Sequence, residues 1–417
     1  MYRRWVFFAV TSSMFLTSQF YRASNAVIAP YLINDLSLHT KGLGLLSAAF
    51  FYSFALTQIP VGILLDRIGA RLSMTALSLV AVGGTFIFAW SSSLPSGVLG
   101  RALMGIGMGC NLMGTLKIVT IWFSPNTFAT LSGIIFSIGT LGNMLATTPL
   151  ALLVEHVGWR MALSMIAAFN FFQIMVLYVV VRDRPASSAS TFTMSSAMAF
   201  KDIFSGLQLL FRQKEYWIIS CAAFFRYGVF ATVQALWAGP YLINGMGLTT
   251  VMAGNLLLVL NIAMILGGPF WGGLSDRVFK RRKTIMILSL GMMTVSTVCL
   301  ALVPKSAWIA LMFFFFFCFG FSAGNANILF THIKECMPIQ LAGVSMTGIN
   351  FFTMMGAAVF IHGIGTLMQH LYPNDSMSLD AFRSAFLVCA LFLLIGVVLY
   401  FFAKDTTSKK ETAAGVI

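Results

Sequence analysis

Runs of about twenty apolar residues follow one another along almost the whole of this 417-residue chain, separated only by short charged or Gly/Pro-rich breaks. A helix of that length matches the hydrocarbon thickness of a bilayer. Lipid offers the backbone no hydrogen-bond partners, so each such run must satisfy its own N–H and C=O groups, which a helix does. The composition closes off the alternative of a water-soluble fold. Only 9% of the residues are charged and 59% are hydrophobic, whereas a soluble domain carries roughly a quarter charged residues to clothe its surface. The expected fold class is therefore an all-α polytopic membrane protein.

The breaks place twelve spans at 5–33, 42–65, 72–91, 96–122, 126–153, 158–181, 215–244, 248–274, 284–303, 307–332, 340–367 and 381–403. The opening run is longer than a signal-peptide core and has no convincing small-residue cleavage site, so it reads as the first span. With the N-terminus inside, eighteen Lys and Arg residues fall in cytoplasmic segments and four (Lys41, Arg160, Lys305 and Arg383) on the other side. That bias follows the positive-inside rule, placing both termini in the cytoplasm of a bacterial inner membrane. It also accounts for the net charge of +14 without invoking nucleic acid.

The two halves echo each other. Pro30-Tyr-Leu-Ile-Asn34 closes the first span and Pro240-Tyr-Leu-Ile-Asn244 the seventh, an offset of 210. At the same offset, Gly62-Ile-Leu-Leu-Asp66-Arg67-Ile-Gly-Ala-Arg71 returns as Gly272-Gly-Leu-Ser-Asp276-Arg277-Val-Phe-Lys-Arg281. Parallel repeats of this kind place a substrate site between the halves near mid-membrane. The expected organisation is a six-helix bundle over 1–181, a cytoplasmic linker over 182–214, a second bundle over 215–403 and a tail over 404–417. Within the linker, Phe200, Ile203, Phe204, Leu207, Leu210 and Phe211 fall at helical spacing and read as an amphipathic surface helix.

The loop formed by Gly62, Asp66, Arg67, Gly69 and Arg71 resembles the signature loop of the major facilitator superfamily, and the loop after span 8 resembles its weaker copy. Arg101-Ala-Leu-Met-Gly105-Ile-Gly107 in span 4 is similar to a second motif of that family. The resemblance implies twelve helices in two pseudo-symmetric bundles and rocker-switch transport. It casts Asp66, Arg67, Arg71, Asp276, Arg277, Arg281 and Arg101 as gating or packing residues, the loop charges pairing across the bundle interface and with a helix end. Tyr21-Arg22 and Arg226-Tyr227-Gly228 look like the anion-carrying branches, which include organophosphate antiporters and organic-anion symporters. The arginines lie at different distances from the following proline, eight residues after Arg22 and fourteen after Arg226, so they are not repeat equivalents.

An ionisable group deep in a span is costly and marks a functional site by default. Arg22 and Arg226 are too deep to reach the interface easily, and all twelve acidic residues fall at span ends or in loops. The pair is expected to face each other across the pseudo-twofold axis and to take their missing counter-charge from a small anionic metabolite. Lys117, near the cytoplasmic end of span 4, is expected to snorkel or to add to the cavity field. Tyr21, Asn25, Tyr52, Tyr227, Gln234, Trp237, Asn261, Asn325 and Asn350 are candidates to line the substrate site, each equally readable as an interhelical hydrogen bond. His362 is a candidate for proton coupling, set against a structural role.

The remaining patterns carry less. The six cysteines form no CxxC pair and His332 with Cys336 is a weak metal signal, so neither metal nor cofactor is expected. Gly105-Ile-Gly107 lies inside an apolar helix with no preceding strand, which favours helix packing over a phosphate loop. No Walker motif suggests ATP, and no nucleophile–base set suggests an enzyme. The leading expectation is a monomeric secondary transporter of a small organic anion, a carboxylate or a phosphorylated metabolite, working as an antiporter or with protons. Amino acids or other zwitterions, amphiphilic drugs for export, and a non-transporting sensor role are the alternatives.

Overall fold

The computed structural model describes residues 2–124, 127–183, 209–279, 281–305, 308–337 and 342–405. The side chains of several helical residues, including Asp66, Asp276 and Asn327, lie outside that description, as do most of the linker with its expected amphipathic helix and the tail beyond 405.

Among the described residues the helices join end to end into twelve rods. In the first half, α1 (Tyr2–Ala23) runs into α2 (Asn25–Asp35), followed by α3 (Thr40–Ile68) and α4 (Ala70–Ala89). Next come α5 (Leu94–Met108) with α6 (Asn111–Trp122), α7 (Phe128–Leu145) with α8 (Thr148–Val157), and α9 (Trp159–Val180). In the second half, α10 (Lys214–Ala231) continues through two π-helical stretches (Thr232–Trp237 and Tyr241–Gly245), and α11 (Thr250–Gly273) ends in a third (Leu274–Val278). Then follow α12 (Arg282–Leu302), α13 (Ile309–Ala323) with α14 (Ala326–Cys336), α15 (Ala342–Leu371) and α16 (Leu379–Phe401).

Ten of these rods are long and apolar enough to cross a membrane. The first two rods, 2–35 and 40–68, carry polar side chains that face protein, among them Ser18, Arg22, Asn25, Ser47 and Gln58. Large apolar side chains cover the outside instead, among them Phe169 and Phe172 on α9 and Leu391 and Val398 on α16. Trp308, 84% exposed, and Trp90 stand at rod ends, where indole rings suit the membrane–water boundary. Such a surface is stable only against lipid.

Four rods break at a residue or two: at Ser24, at Gly109–Cys110, at Ala146–Thr147 before Pro149, and at Gly324–Asn325. A break leaves carbonyls outside the helical ladder, and inside a membrane these must find another donor. Close packing surrounds the breaks. The span-4 motif is a contact surface, for a Cβ at Gly105 would lie 2.2 Å from the Phe50 carbonyl oxygen on α3.

The halves meet along α3 against α15, α2 against 232–240, and α8 against α11. Their tightest approaches lie at the end remote from the two signature loops. There Thr148 Oγ1 donates to Asn255 Oδ1 at 2.7 Å and Thr40 Oγ1 to Gln369 Oε1 at 3.2 Å. Two more hydrogen bonds cross the seam deeper in the membrane, Asn350 Nδ2 to Gln58 Oε1 at 3.1 Å and Arg22 Nη1 to the Tyr227 hydroxyl at 3.0 Å.

Candidate functional site

Arg22 is the last polar residue of α1, two residues before the break at Ser24, and α1 touches the first π-helical stretch of the seventh rod. Its guanidinium lies over the Phe54 ring, 4.9 Å from the centroid, and is 8% exposed. Nη1 is spent on Tyr227 of the other half. Nε is buried without any acceptor, and no carboxylate among the described residues pairs with this side chain. A buried donor left unsatisfied costs about 1–3 kcal/mol, more when it is charged, so Arg22 is a group built to meet an acceptor that the protein does not itself supply.

The other three mid-membrane cations are held by backbone carbonyls. Arg226 does not face Arg22. Its Nε donates to Asn325 Oδ1 and its Nη2 to the Ala323 carbonyl, while Asn325 in turn donates to Ser289. The physical reason is the break at Gly324, which frees the Ala323 carbonyl inside the second half. Arg226 is 5% exposed and its head belongs to that half's interior. Arg101 is fully buried, donates from Nη1 to the Tyr21 carbonyl at 3.0 Å beside the Ser24 break, and is enclosed by the Phe50 and Phe88 rings. Its Nε and Nη2 are also buried without partners, so what distinguishes Arg22 is its place on the seam rather than an unmet donor. Lys117 donates to the Leu65 carbonyl near the end of α3. The expected facing pair of guanidiniums is thus replaced by one arginine on the seam.

Several candidate lining residues pack within a single half. Tyr21 is fully buried in the first half, and Asn25 donates to Ser47 Oγ at 2.9 Å. Gln234 donates to Asn261 Oδ1 at 3.0 Å, and Asn261 donates to the Leu257 carbonyl of its own helix at 2.8 Å. Trp237 is fully buried with Nε1 on the Ile361 carbonyl at 3.0 Å, which leaves no face for stacking on a ligand. Asn325 serves Arg226. The candidates that bond across the seam are Arg22, Tyr227 and Asn350, while Tyr52 is half-buried on α3. Gln58, itself a polar residue of a likely cavity helix in the sequence, joins them through Asn350, as does Phe54, which nothing in the sequence singled out, through Arg22.

Among the described residues, the arginines that close the signature loops are anchored within their own halves. Gly69 has φ +94, a conformation that favours glycine. A Cβ there would meet Asp183 Oδ2 at 2.5 Å. Asp183 Oδ1 accepts from the Arg71 backbone N–H at 2.9 Å, and Arg71 Nε donates to the Tyr178 carbonyl at 2.8 Å while its guanidinium covers the Tyr178 ring. In the second half Arg281 lies 3.8 Å from Asp405 and Arg282 3.2 Å from Glu335. Each loop therefore ends in an arginine held by an aspartate just beyond the last span of the same half. Arg67 and Arg277 are exposed.

His362 is half-buried where α15 crosses α3, close to Gly44. The histidine with buried partners is His332, whose Nδ1 lies 2.6 Å from the Tyr400 hydroxyl and Nε2 2.9 Å from the Lys404 carbonyl. A carbonyl only accepts, so Nε2 carries the hydrogen and Nδ1 accepts from Tyr400. Only the spacing to Cys336 marked His332 in the sequence. No cluster of three metal-ligating side chains occurs among the described residues.

Two sets of membrane-crossing rods, broken at mid-membrane and joined by polar contacts on their shared seam, define a membrane transporter rather than an enzyme. The chain belongs to the major facilitator superfamily, whose family model, Major Facilitator Superfamily, matches residues 10–361 and 262–416. It is 23% identical to a probable hexose phosphate transport protein of Chlamydia muridarum, over 94% of this chain and 90% of that one. It is 25% identical to the probable sulfoacetate transporter SauU of Cupriavidus necator, over 67% of this chain and 66% of that one. The crystal structure of a bacterial homolog of the human lysosomal transporter Spinster, inward-facing and unoccupied, shares the fold with a TM-score of 0.78 at 16% identity, covering 96% of this chain and 97% of the other.

Proposed function

We propose that this protein is a secondary active transporter of a small organic anion, moving it by alternating access between two six-helix bundles. The observation that carries the reading is Arg22: a buried guanidinium on the seam, bonded across it to Tyr227, with an unpartnered Nε and no carboxylate counter-charge among the described residues. An anion entering between the halves supplies that charge and bonds both sides of the seam at once, which couples binding to closure. The relatives named for a hexose phosphate and for sulfoacetate, both anions, support the same class.

In this reading the protein sits in a bacterial inner membrane as a monomer with both termini cytoplasmic, and the signature loops face the cytoplasm. Its bundles span 1–181 and 215–403, joined by the 182–214 linker. The tight seam at the far end then makes the structure closed toward the outside. Transport runs either as exchange of anions or as symport with protons. Uptake of an anion into proteoliposomes, with and without an imposed pH gradient, tests this. Accumulation that requires either a counter-anion or the gradient supports the proposal and tells the two modes apart. Saturable binding with no flux under either condition makes the protein a sensor and refutes it.

A further inference from the structure

We infer that the seam site selects organic anions with a singly charged oxyanion head, a carboxylate or sulfonate, over doubly charged phosphate esters. The inference rests on the reading of Arg22 as the anion site and goes beyond it by counting charge.

Of the four cations deep in the spans, three make their hydrogen bonds within their own half. Arg226 is bonded to Asn325 and the Ala323 carbonyl inside the second half. Arg101 is fully buried in the first half. Lys117 is bonded to the Leu65 carbonyl. Arg22 alone of the four bonds across the seam, so the seam offers one mid-membrane positive charge to a molecule between the halves. A carboxylate or sulfonate cancels it. A phosphate monoester carries about −1.5 to −2 at pH 7, and its surplus would be stranded when the halves close and exclude water.

The donor geometry agrees with the count. With Nη1 given to Tyr227, the edge left to Arg22 is Nε and Nη2: Nε has no partner and no described group bonds Nη2. Two parallel N–H donors on one edge match the two oxygens of a carboxylate. The Tyr227 oxygen accepts from Arg22 and so keeps its own O–H to donate. That third donor suits a carboxylate's second lone pair or a sulfonate's third oxygen. Phe54 covers the guanidinium face, so an anion bonds the edge rather than the face, reaching the buried Nε when the halves part.

The test compares three probes with one hexose body and different heads, namely glucuronate, glucose 6-phosphate and glucose, by equilibrium binding to the purified full-length protein at pH 7.5. Benzoate, benzenesulfonate, phenyl phosphate and benzyl alcohol form a second series. The expected result in whichever series binds is a Kd at least tenfold lower for the monoanion than for the phosphate ester, with no binding of the neutral compound. On lowering the pH from 7.5 to 5.5 the phosphate ester should bind more tightly, because its second pKa near 6 makes it a monoanion, while the carboxylate or sulfonate is unchanged. A phosphate ester that binds at least as tightly at pH 7.5 and weakens on acidification overturns the charge count and leaves the anion reading standing. Neutral probes that bind as well as charged ones, to wild type and Arg22→Gln alike, overturn the anion reading itself. Silence of every charged probe in both series counts against both.

Discussion

Substituting Gly239 by alanine should open the end of the carrier remote from the signature loops. In the seventh rod Gly239 faces the first, and a Cβ added there would lie 1.7 Å from the Ala26 carbonyl oxygen and 2.7 Å from its carbon. Nonbonded heavy atoms settle at about 3.5–4.0 Å, so the two backbones must part by roughly 1.8–2.3 Å. Both are helical, and a carbonyl in a helix has no rotamer into which to retreat. Overpacking of this kind costs about 1–3 kcal/mol. The cost falls only on the conformer in which the halves touch at this end, so it shifts the two-state equilibrium about 5- to 150-fold toward the conformer open there. The assay is cross-linking between cysteines introduced at Thr40 and Gln369, whose side chains bond across the seam at 3.2 Å, in a background with the six native cysteines replaced. Gly239→Ala should slow cross-linking, approaching the full 5- to 150-fold only where the closed conformer is the minor one. Gly83→Ala, where nothing lies within 4 Å of the new Cβ, should leave it unchanged. Equal cross-linking rates in wild type and Gly239→Ala would refute the claim that this backbone contact is part of the closure.

Further outcomes follow from the same geometry. Arg226→Gln leaves the Ala323 carbonyl and Asn325 without their donor, so it should destabilise the second half by about 1–3 kcal/mol, read as a lowered Tm; an unchanged Tm would mean that its head is not structural. Gly69→Ala adds both a strained left-handed residue and a collision with Asp183, costing about 1–2 kcal/mol, and the Asp183→Gly background should recover part of the lost Tm by removing the colliding carboxylate. His332→Phe strands the Tyr400 hydroxyl and the Lys404 carbonyl and should lower Tm more than His362→Phe, whose side chain is half-buried; the reverse order would reassign the structural histidine.

Lipid made the rods legible, because the requirement for internally bonded backbone ties each apolar run to one helix and the charged breaks to its ends. Arg22 could be picked out for the same reason: its depth is a matter of counting residues along one span. Arg226 looked identical by that count and differs in fact, since its fate is set by a carbonyl 97 residues away at a break that Gly324 and Asn325 mark only weakly. The signature loops were readable at an offset of 210, yet their anchors were not. Asp183 and Asp405 stand 222 positions apart, outside the repeat register, and join the loops only once the last rod of each half has packed. His332 likewise depends on Tyr400, 68 residues on. Polar residues such as Gln234 and Trp237 were ambiguous because a helix position alone does not say whether a side chain looks into its own bundle or across the seam.

The most direct test of the account is a metabolite thermal-shift screen on wild type beside Arg22→Gln. The expected result is that every stabilising compound is an anion, that the stabilisation disappears in Arg22→Gln, and that the two proteins alone melt within a few degrees of each other. Stabilisation by neutral or cationic compounds that persists in the variant would contradict the account.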